Sequence, residues 1–246
     1  MDPAALDPST YVAAVRGEGA ALVAAARAAG PDARVPSCPD WSVTDLLVHV
    51  GSVLRWQADI VDRRIAEPVF DWPTPPADPA DLIDWVAGAV DLLADTLAAA
   101  APDAPMWTLA GPGTVGFWLR RGAHETSLHR VDAELAAGSV RPVDAVLAAD
   151  ALDEFLTMVV GVRLRDRVVG AGESVHVHCT DTAGEWLVRV TPDGPEVERI
   201  HAKGDVAARG PASDLLLALR NRADLDSVDV IGDAGVLAGF VALTSI

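Results

Sequence analysis

Apolar residues recur at helical spacing from Ser9 to Ala29, at Tyr11, Val15, Leu22 and Ala26, until Gly30-Pro31 interrupts them. A proline-punctuated loop, Val35 to Ser42, follows. Ser42 with Asp45 three residues on has the form of a capping box, so a second helix is predicted from there to about Ala66. His49 lies on it among Leu46, Leu47, Val50, Val53 and Leu54, with Trp56 two turns further along. After a connection carrying Pro68, Pro73, Pro75 and Pro76, Asp78 as cap and Pro79 in the first turn open a third helix, to about Ala101. A loop with Pro102, Pro105, Gly111, Pro112 and Gly113 leads into a fourth, from about Thr114 to Ala137. Four amphipathic helices with two long connections predict a helical bundle, in which metal sites are built from side chains on facing helices.

Beyond Gly138–Pro142 the pattern changes. A fifth helix is predicted from Val143 to Arg167, and then the period falls to two over Ser174–Thr180 and Glu185–Thr191, joined by a hairpin turn at 181–184. Glu196–Ala202 and Asp205–Arg209 read as further strands joined at Lys203-Gly204. Ala212–Arg222 reads as a short helix, Val228–Ile231 as a strand and Ala234–Leu243 as a closing helix. The expectation is a helical bundle over residues 1–141 followed by a small α+β domain over 142–246.

Composition narrows the function classes. With 50% hydrophobic and 22% charged residues the chain has the balance of a soluble globular protein. Its formal net charge of −17 disfavours nucleic acid and anionic membrane surfaces as partners. Cys38 and Cys179 make no disulfide framework, and the acidic start of the chain is unlike a signal peptide, so a cytoplasmic setting is expected. The abundance of Ala, Val, Asp and Arg, with Lys203 the only lysine, resembles a GC-rich bacterial genome.

The candidate chemistry sits on the fourth helix. Residues four apart differ by about 40° around a helix axis, so Glu125 and His129 share a side, with Asp132 three residues beyond. A carboxylate and an imidazole on a partly apolar face need partners, and a divalent metal serves both. With His49 from the second helix they make a set of two histidines and one glutamate. Three protein ligands leave a position open for water or substrate. Asp132 or Ser127 could orient a ligand from behind. The same residues also allow a solvated Glu–His pair beside a core histidine. His124 and His129, five apart, diverge by about 140° and exclude the zincin arrangement. Arg121, one turn before Glu125, could clamp a carboxylate, whereas Arg120 reads as surface cover. Trp41, Trp56, Trp118 and Trp186 read as core, with Trp56 and Trp118 able to line a pocket for a bound cosubstrate. Cys38 reads as a small buried side chain. His176 and His178 share one strand face and, without a third ligand nearby, read as an ordinary sheet face.

Several stretches together resemble a known family. These are Cys38-Pro39-Asp40-Trp41-Ser42 with Leu47-Val48-His49-Val50-Gly51, then His124-Glu125 and His129-Arg130-Val131-Asp132-Ala133-Glu134. Gly204-Asp205-Val206, Arg222 and Val230-Ile231-Gly232-Asp233 extend the likeness into the second half. They resemble the mycothiol-dependent maleylpyruvate isomerases, a likeness that implies a DinB-like four-helix bundle joined to a small α+β domain. It further implies zinc on His49, Glu125 and His129, mycothiol as thiol cosubstrate, and Arg222 as a substrate-binding residue; mycothiol also agrees with the composition, which reads as actinobacterial. A zinc-bound thiol becomes a thiolate able to attack a small electrophile. A thiol transferase is the expected activity. The alternatives are a maleylpyruvate-type cis–trans isomerase, non-haem Fe(II) oxygen chemistry on the same ligands, and a non-catalytic binding or stress-response module.

Overall fold

The computed structural model describes residues 6–164 and 170–244, which form two compact units, Met1–Arg141 and Pro142–Ile246. The first is built on four helices: α1 (Pro8–Ala29), α2 (Val43–Asp62), α3 (Leu82–Ala99) and α4 (Val115–Ala136). Asp7 caps α1 by accepting the Ser9 N–H at 2.8 Å, and Ser42 and Asp45 form the reciprocal capping box of α2. Asp78 accepts the Ala80 N–H at 2.9 Å and opens a single 3-10 turn, Pro79–Asp81, ahead of α3.

α1 packs on α3 and α4, and α2 packs on the same two helices from the other side, which closes the bundle. The close approach of α2 to α3 depends on Gly51, where an added Cβ would stand 2.2 Å from the Trp85 ring.

Three local features depart from expectation. α2 stops at Asp62, four residues before Ala66. Arg64 takes a left-handed conformation, φ 50°, and the N–H groups of Arg64 and Ile65 donate back to Val61 and Ile60. This is a Schellman ending made without glycine, which leaves no punctuation in the sequence. The two proline-rich loops each contain a short antiparallel ribbon: β1 (Arg34–Val35) with β2 (Cys38–Ser42), and β3 (Pro105–Thr108) with β4 (Gly111–Thr114). A two-stranded ribbon is all edge, so it tolerates the prolines that argue against a central strand.

The third departure is α4, which is not amphipathic. Thr126, Ser127, His129, Arg130, Asp132 and Glu134 are all buried beside its apolar residues. Burial of so many polar groups is possible because most of their polar atoms find partners in one another, in α1 or in the backbone. Arg130, closed to solvent, donates to Glu18 of α1 at 2.7 Å, to Glu134 at 2.5 Å and to the Arg141 carbonyl at 2.7 Å. Thr126 and Ser127 donate to the carbonyls of Gly122 and Ala123, each at 2.7 Å.

The second unit begins with α5 (Ala145–Glu154), a π-helical turn (Phe155–Val159) and α6 (Val160–Leu164); the predicted end at Arg167 lies outside the described residues. Five strands follow: β5 (Glu173–Cys179), β6 (Glu185–Thr191), β7 (Gly194–Glu198), β8 (Val206–Gly210) and β9 (Asp229–Gly232). α7 (Ala212–Leu219) and α8 (Ala234–Thr244) complete the unit. The sheet order is β7-β6-β5-β8-β9, with β5 and β8 parallel and the remaining neighbours antiparallel. The strands expected to join at Lys203-Gly204 are therefore not partners. β7 lies at one edge, and the chain crosses past β6 and β5 before β8 pairs. A parallel partner cannot be reached by a tight turn, and the residues between Glu198 and Val206 make that crossover. Asp153 of α5 fixes its start, accepting two N–H groups of Arg199 at 2.6 and 2.8 Å and the Trp186 indole N–H at 2.8 Å.

Candidate metal site

α2 and α4 face each other, and their register brings His49 opposite Glu125 and His129. His129 Nε2 lies 3.0 Å and His49 Nε2 3.5 Å from Glu125 Oε1. The two imidazole rings meet nearly edge-on with centroids 4.9 Å apart. One ligand atom from each of the three residues falls within 4.8 Å of the others. Exposure grades across the set: the His129 side chain is 7% exposed, Glu125 15% and His49 37%, so the site opens on the His49 side.

The far side of His129 is anchored. Its Nδ1 stands 2.8 Å from Asp132 Oδ2, and the other oxygen of that fully buried carboxylate accepts the Ser37 hydroxyl. Asp132 thus orients the ring, whereas Ser127 is spent on a backbone carbonyl. With Nδ1–H donating to Asp132, the Nε2 lone pair faces the Glu125 carboxylate. Two acceptors 3.0 Å apart repel unless a second proton or a cation lies between them. In the absence of metal a proton does this. Burial opposes the charge, but Glu125 and Asp132 push the His129 imidazole up to about 9. Burial likewise opposes ionisation of Glu125, and Arg121 and His129 outweigh it and hold its carboxyl well below the usual range. A divalent cation would replace that proton. Imidazole nitrogens and a carboxylate oxygen bind zinc at about 2.0–2.2 Å, so the donor set fits one ion after small side-chain rotations.

The remaining candidates separate around this set. Arg121 contacts Glu125 Oε2, so the carboxylate it clamps belongs to the protein itself. His124 turns away, its ring edge-on to Tyr11 of α1 at 6.2 Å. Trp56 and Trp118 lie two turns along their helices from the set, about 10 Å. They meet each other at 5.5 Å within a cluster that includes Trp107, Phe70 and Trp72. Their indole N–H groups donate to the Val69 and Trp107 carbonyls, each at 2.9 Å, and Trp118 is closed to solvent. Arg222 belongs to the second unit, immediately after α7. Asn221, at φ 59°, ends that helix with a Schellman motif in which the Arg222 N–H donates to the Leu217 carbonyl at 2.7 Å. Cys38, expected to be buried, is half-buried. Cys179 is buried, and burial with Asp181 and Glu185 nearby pushes its thiol up to about 12.

Two residues beside the site take roles that the sequence reading does not assign to them. Trp41, on β2, packs its ring against His49 with centroids 5.0 Å apart, and Ser37 reaches Asp132 across 95 residues of chain. Both depend on the β1–β2 ribbon, which sequence periodicity does not reveal.

The sequence profile of the mycothiol maleylpyruvate isomerase N-terminal domain matches residues 12–134, and that of the C-terminal domain of the same family matches residues 146–239. The chain belongs to the mycothiol maleylpyruvate isomerase family. Two solved structures of a mycothiol-dependent maleylpyruvate isomerase share the fold. One superposes with a TM-score of 0.60 at 14% identity, over 92% of this chain and 93% of that one. The other, a histidine-to-alanine variant, gives 0.60 at 12% identity over the same shares. No curated protein sequence matches the chain significantly. The mycothiol maleylpyruvate isomerase fold, a DinB-like bundle followed by a small sheet-containing domain, is therefore the architecture of this chain. The family is one of enzymes. Among the described residues no helix is long and apolar enough to cross a membrane.

Proposed function

We propose that the protein is a metal-dependent thiol transferase in which zinc, held by His49, Glu125 and His129, activates mycothiol for attack on a small electrophile. The observation that carries this reading is the convergence of three donor atoms, from two facing helices, within 4.8 Å. Three donors rather than four leave a coordination position for an incoming ligand. When bound, such an ion supplies a low pKa to a coordinated thiol, which is then present as thiolate at neutral pH.

The residues of this chain supply the rest. Asp132, itself held by Ser37, keeps the His129 Nδ1–H engaged so that Nε2 stays available as a donor. Arg121 balances the charge of Glu125 and fixes its second oxygen. Trp41 packs on His49 and limits the rotation of the most exposed ligand. Trp56 and Trp118 set the spacing of α2 and α4 through packing. Arg222 is assigned to substrate binding on the resemblance alone. In this reading the nucleophile is the external thiol; Cys179 does not supply it, since a thiol at about 12 gives almost no thiolate near pH 7.

Isomerisation is the second reading, favoured by the mycothiol-dependent maleylpyruvate isomerases that share the fold. Both begin with addition of sulfur to an unsaturated or otherwise electrophilic carbon. If the sulfur remains, the product is an S-conjugate; if it leaves after bond rotation, an isomer forms and the thiol is recovered. Incubating zinc-loaded protein with mycothiol and a panel of electrophiles that includes maleylpyruvate separates the two. The transferase reading expects thiol loss matching electrophile loss, abolished in His49→Ala. Recovery of all thiol with isomerised product selects the second reading, and no thiol-dependent turnover of any electrophile contradicts both.

A further inference from the structure

The chain has six histidines, and beyond the two in the bundle site three more gather in the second unit. His176 and His178 are two apart on β5 and so share a face of the sheet. Glu185 of β6 stands directly across the ladder from His178. The crossover between β7 and β8 then lays His201 over the same face. The three rings stand edge-on to one another, with centroids 5.3, 5.9 and 6.1 Å apart. The absence of a third ligand, expected from the sequence, is thus overturned. Glu185 is hidden in the strand pairing, and His201 in a crossover that local periodicity does not show.

All three imidazoles turn a nitrogen toward one oxygen, Glu185 Oε1. His178 Nδ1 contacts it, His201 Nδ1 lies at 2.7 Å and His176 Nε2 at 3.8 Å. A carboxylate oxygen has two lone pairs, and the two nearer nitrogens use them. His176 Nε2 remains: it is buried, on a residue only 6% exposed, and has no hydrogen-bond partner. An orphaned buried nitrogen is costly in a sheet this well paired, and hydrogen bonding within the cluster leaves it unsatisfied.

We propose that His176, His178, Glu185 and His201 form a second metal site, for zinc or a first-row divalent cation of similar preference. The four ligand atoms lie within 4.8 Å of one another. Ligands on a tetrahedral zinc stand about 3.4 Å apart, given bonds of about 2.1 Å, so modest side-chain rotation closes the set. Three imidazoles and one carboxylate suit zinc, and they leave calcium and magnesium, which prefer all-oxygen shells, poorly served. Four protein donors fill a tetrahedral shell, so this site is closed, in contrast to the bundle site. Its effect is to tie the long crossover to the β5–β6 hairpin, with His201 as the clasp.

The test uses tag-free full-length protein carrying His49→Ala and His129→Ala, which removes the bundle site. After chelator treatment it is titrated with zinc against a chromophoric chelator. One equivalent is expected to bind. Adding His201→Ala, at a side chain three-quarters exposed and therefore harmless to folding, should weaken binding beyond the roughly 10–100-fold typical of changes behind a metal ligand. A folded background that binds no zinc, or binds it equally with and without His201, overturns the proposal. Should that background fail to fold, His201→Ala in the otherwise unaltered chain must lower metal content by one equivalent, whatever the bundle site holds. Unchanged content there also overturns it.

Discussion

His129 and Asp132 share a 2.8 Å hydrogen bond on the side of the imidazole away from Glu125 and His49. It fixes which ring nitrogen is free. A ligand histidine held in one tautomer by a buried carboxylate binds metal more tightly than one left to rotate. Asp132→Asn should therefore weaken zinc binding at the bundle site by roughly 10–100-fold, measured by chelator competition in a His201→Ala background. Ser37→Ala, one step further out, should have a smaller effect in the same direction. Unaltered affinity in Asp132→Asn would show that the carboxylate serves packing only.

Arg130 should be a stability residue rather than a chemical one. It is wholly buried and holds Glu18 and Glu134, so it joins α1 to α4. Glu134→Gln is expected to cost about 2–3 kcal/mol, the weight of a buried charged hydrogen bond, read from urea denaturation. Burial raises the Glu134 carboxyl, but hydrogen bonds from Arg141 and Arg130 lower it further, and the net shift is downward. A depressed folded-state value contributes stability that is present above the ordinary glutamate value of 4.5 and lost as pH falls through the folded value. The stability gap between the original protein and Glu134→Gln should accordingly be flat above about pH 5.5 and shrink below about pH 4.5. A gap that widened in acid would contradict the pairing.

Asn221 should matter through its backbone. At φ 59° it suits asparagine or glycine, and it places Arg222 after the end of α7. Asn221→Gly should leave stability nearly unchanged. Asn221→Val should cost about 1–2 kcal/mol, which lowers the melting temperature by roughly 2–8 °C. Equal melting temperatures for the two variants would remove the argument.

The two cysteines should differ in reactivity. Cys38 is half-buried, whereas Cys179 is buried with its thiol at about 12. Native protein at pH 8 should label at Cys38 alone with a thiol reagent, and unfolded protein at both positions. A double Cys38→Ala, Cys179→Ala protein that folds should keep its thiol-dependent turnover, because the reacting sulfur belongs to the cosubstrate. Loss of turnover in that protein would place the nucleophile in the chain.

What the sequence made legible follows from what local rules can encode. α1 and the start of α2 are written in caps and spacing that act over four residues, and the i, i+4 relation brings Glu125 to His129 without reference to the fold. His49, on a different helix, is joined to them in the sequence only by the expectation that helices of a bundle face one another, which the family resemblance supports. Arg64 and Asn221 end helices with left-handed backbone and no glycine, and this blurs the C-termini of α2 and α7. Trp41, Ser37 and His201 reach their partners through the β1–β2 ribbon and the β7–β8 crossover. Those pairings are decided by non-local hydrogen bonding that no window of sequence contains. α4 departs for the opposite reason: its buried polar residues find partners in one another, in α1 and in the backbone, so its pattern obscures how deeply it is buried.

The central claim is that His49, Glu125 and His129 hold one cation that activates an external thiol. Metal content measured on matched tag-free preparations of the original protein and His49→Ala tests it most directly, because the comparison is independent of any second site. One equivalent of zinc lost in the variant, with mycothiol-dependent turnover lost alongside it, is the predicted result. Equal metal content in two folded proteins would contradict it.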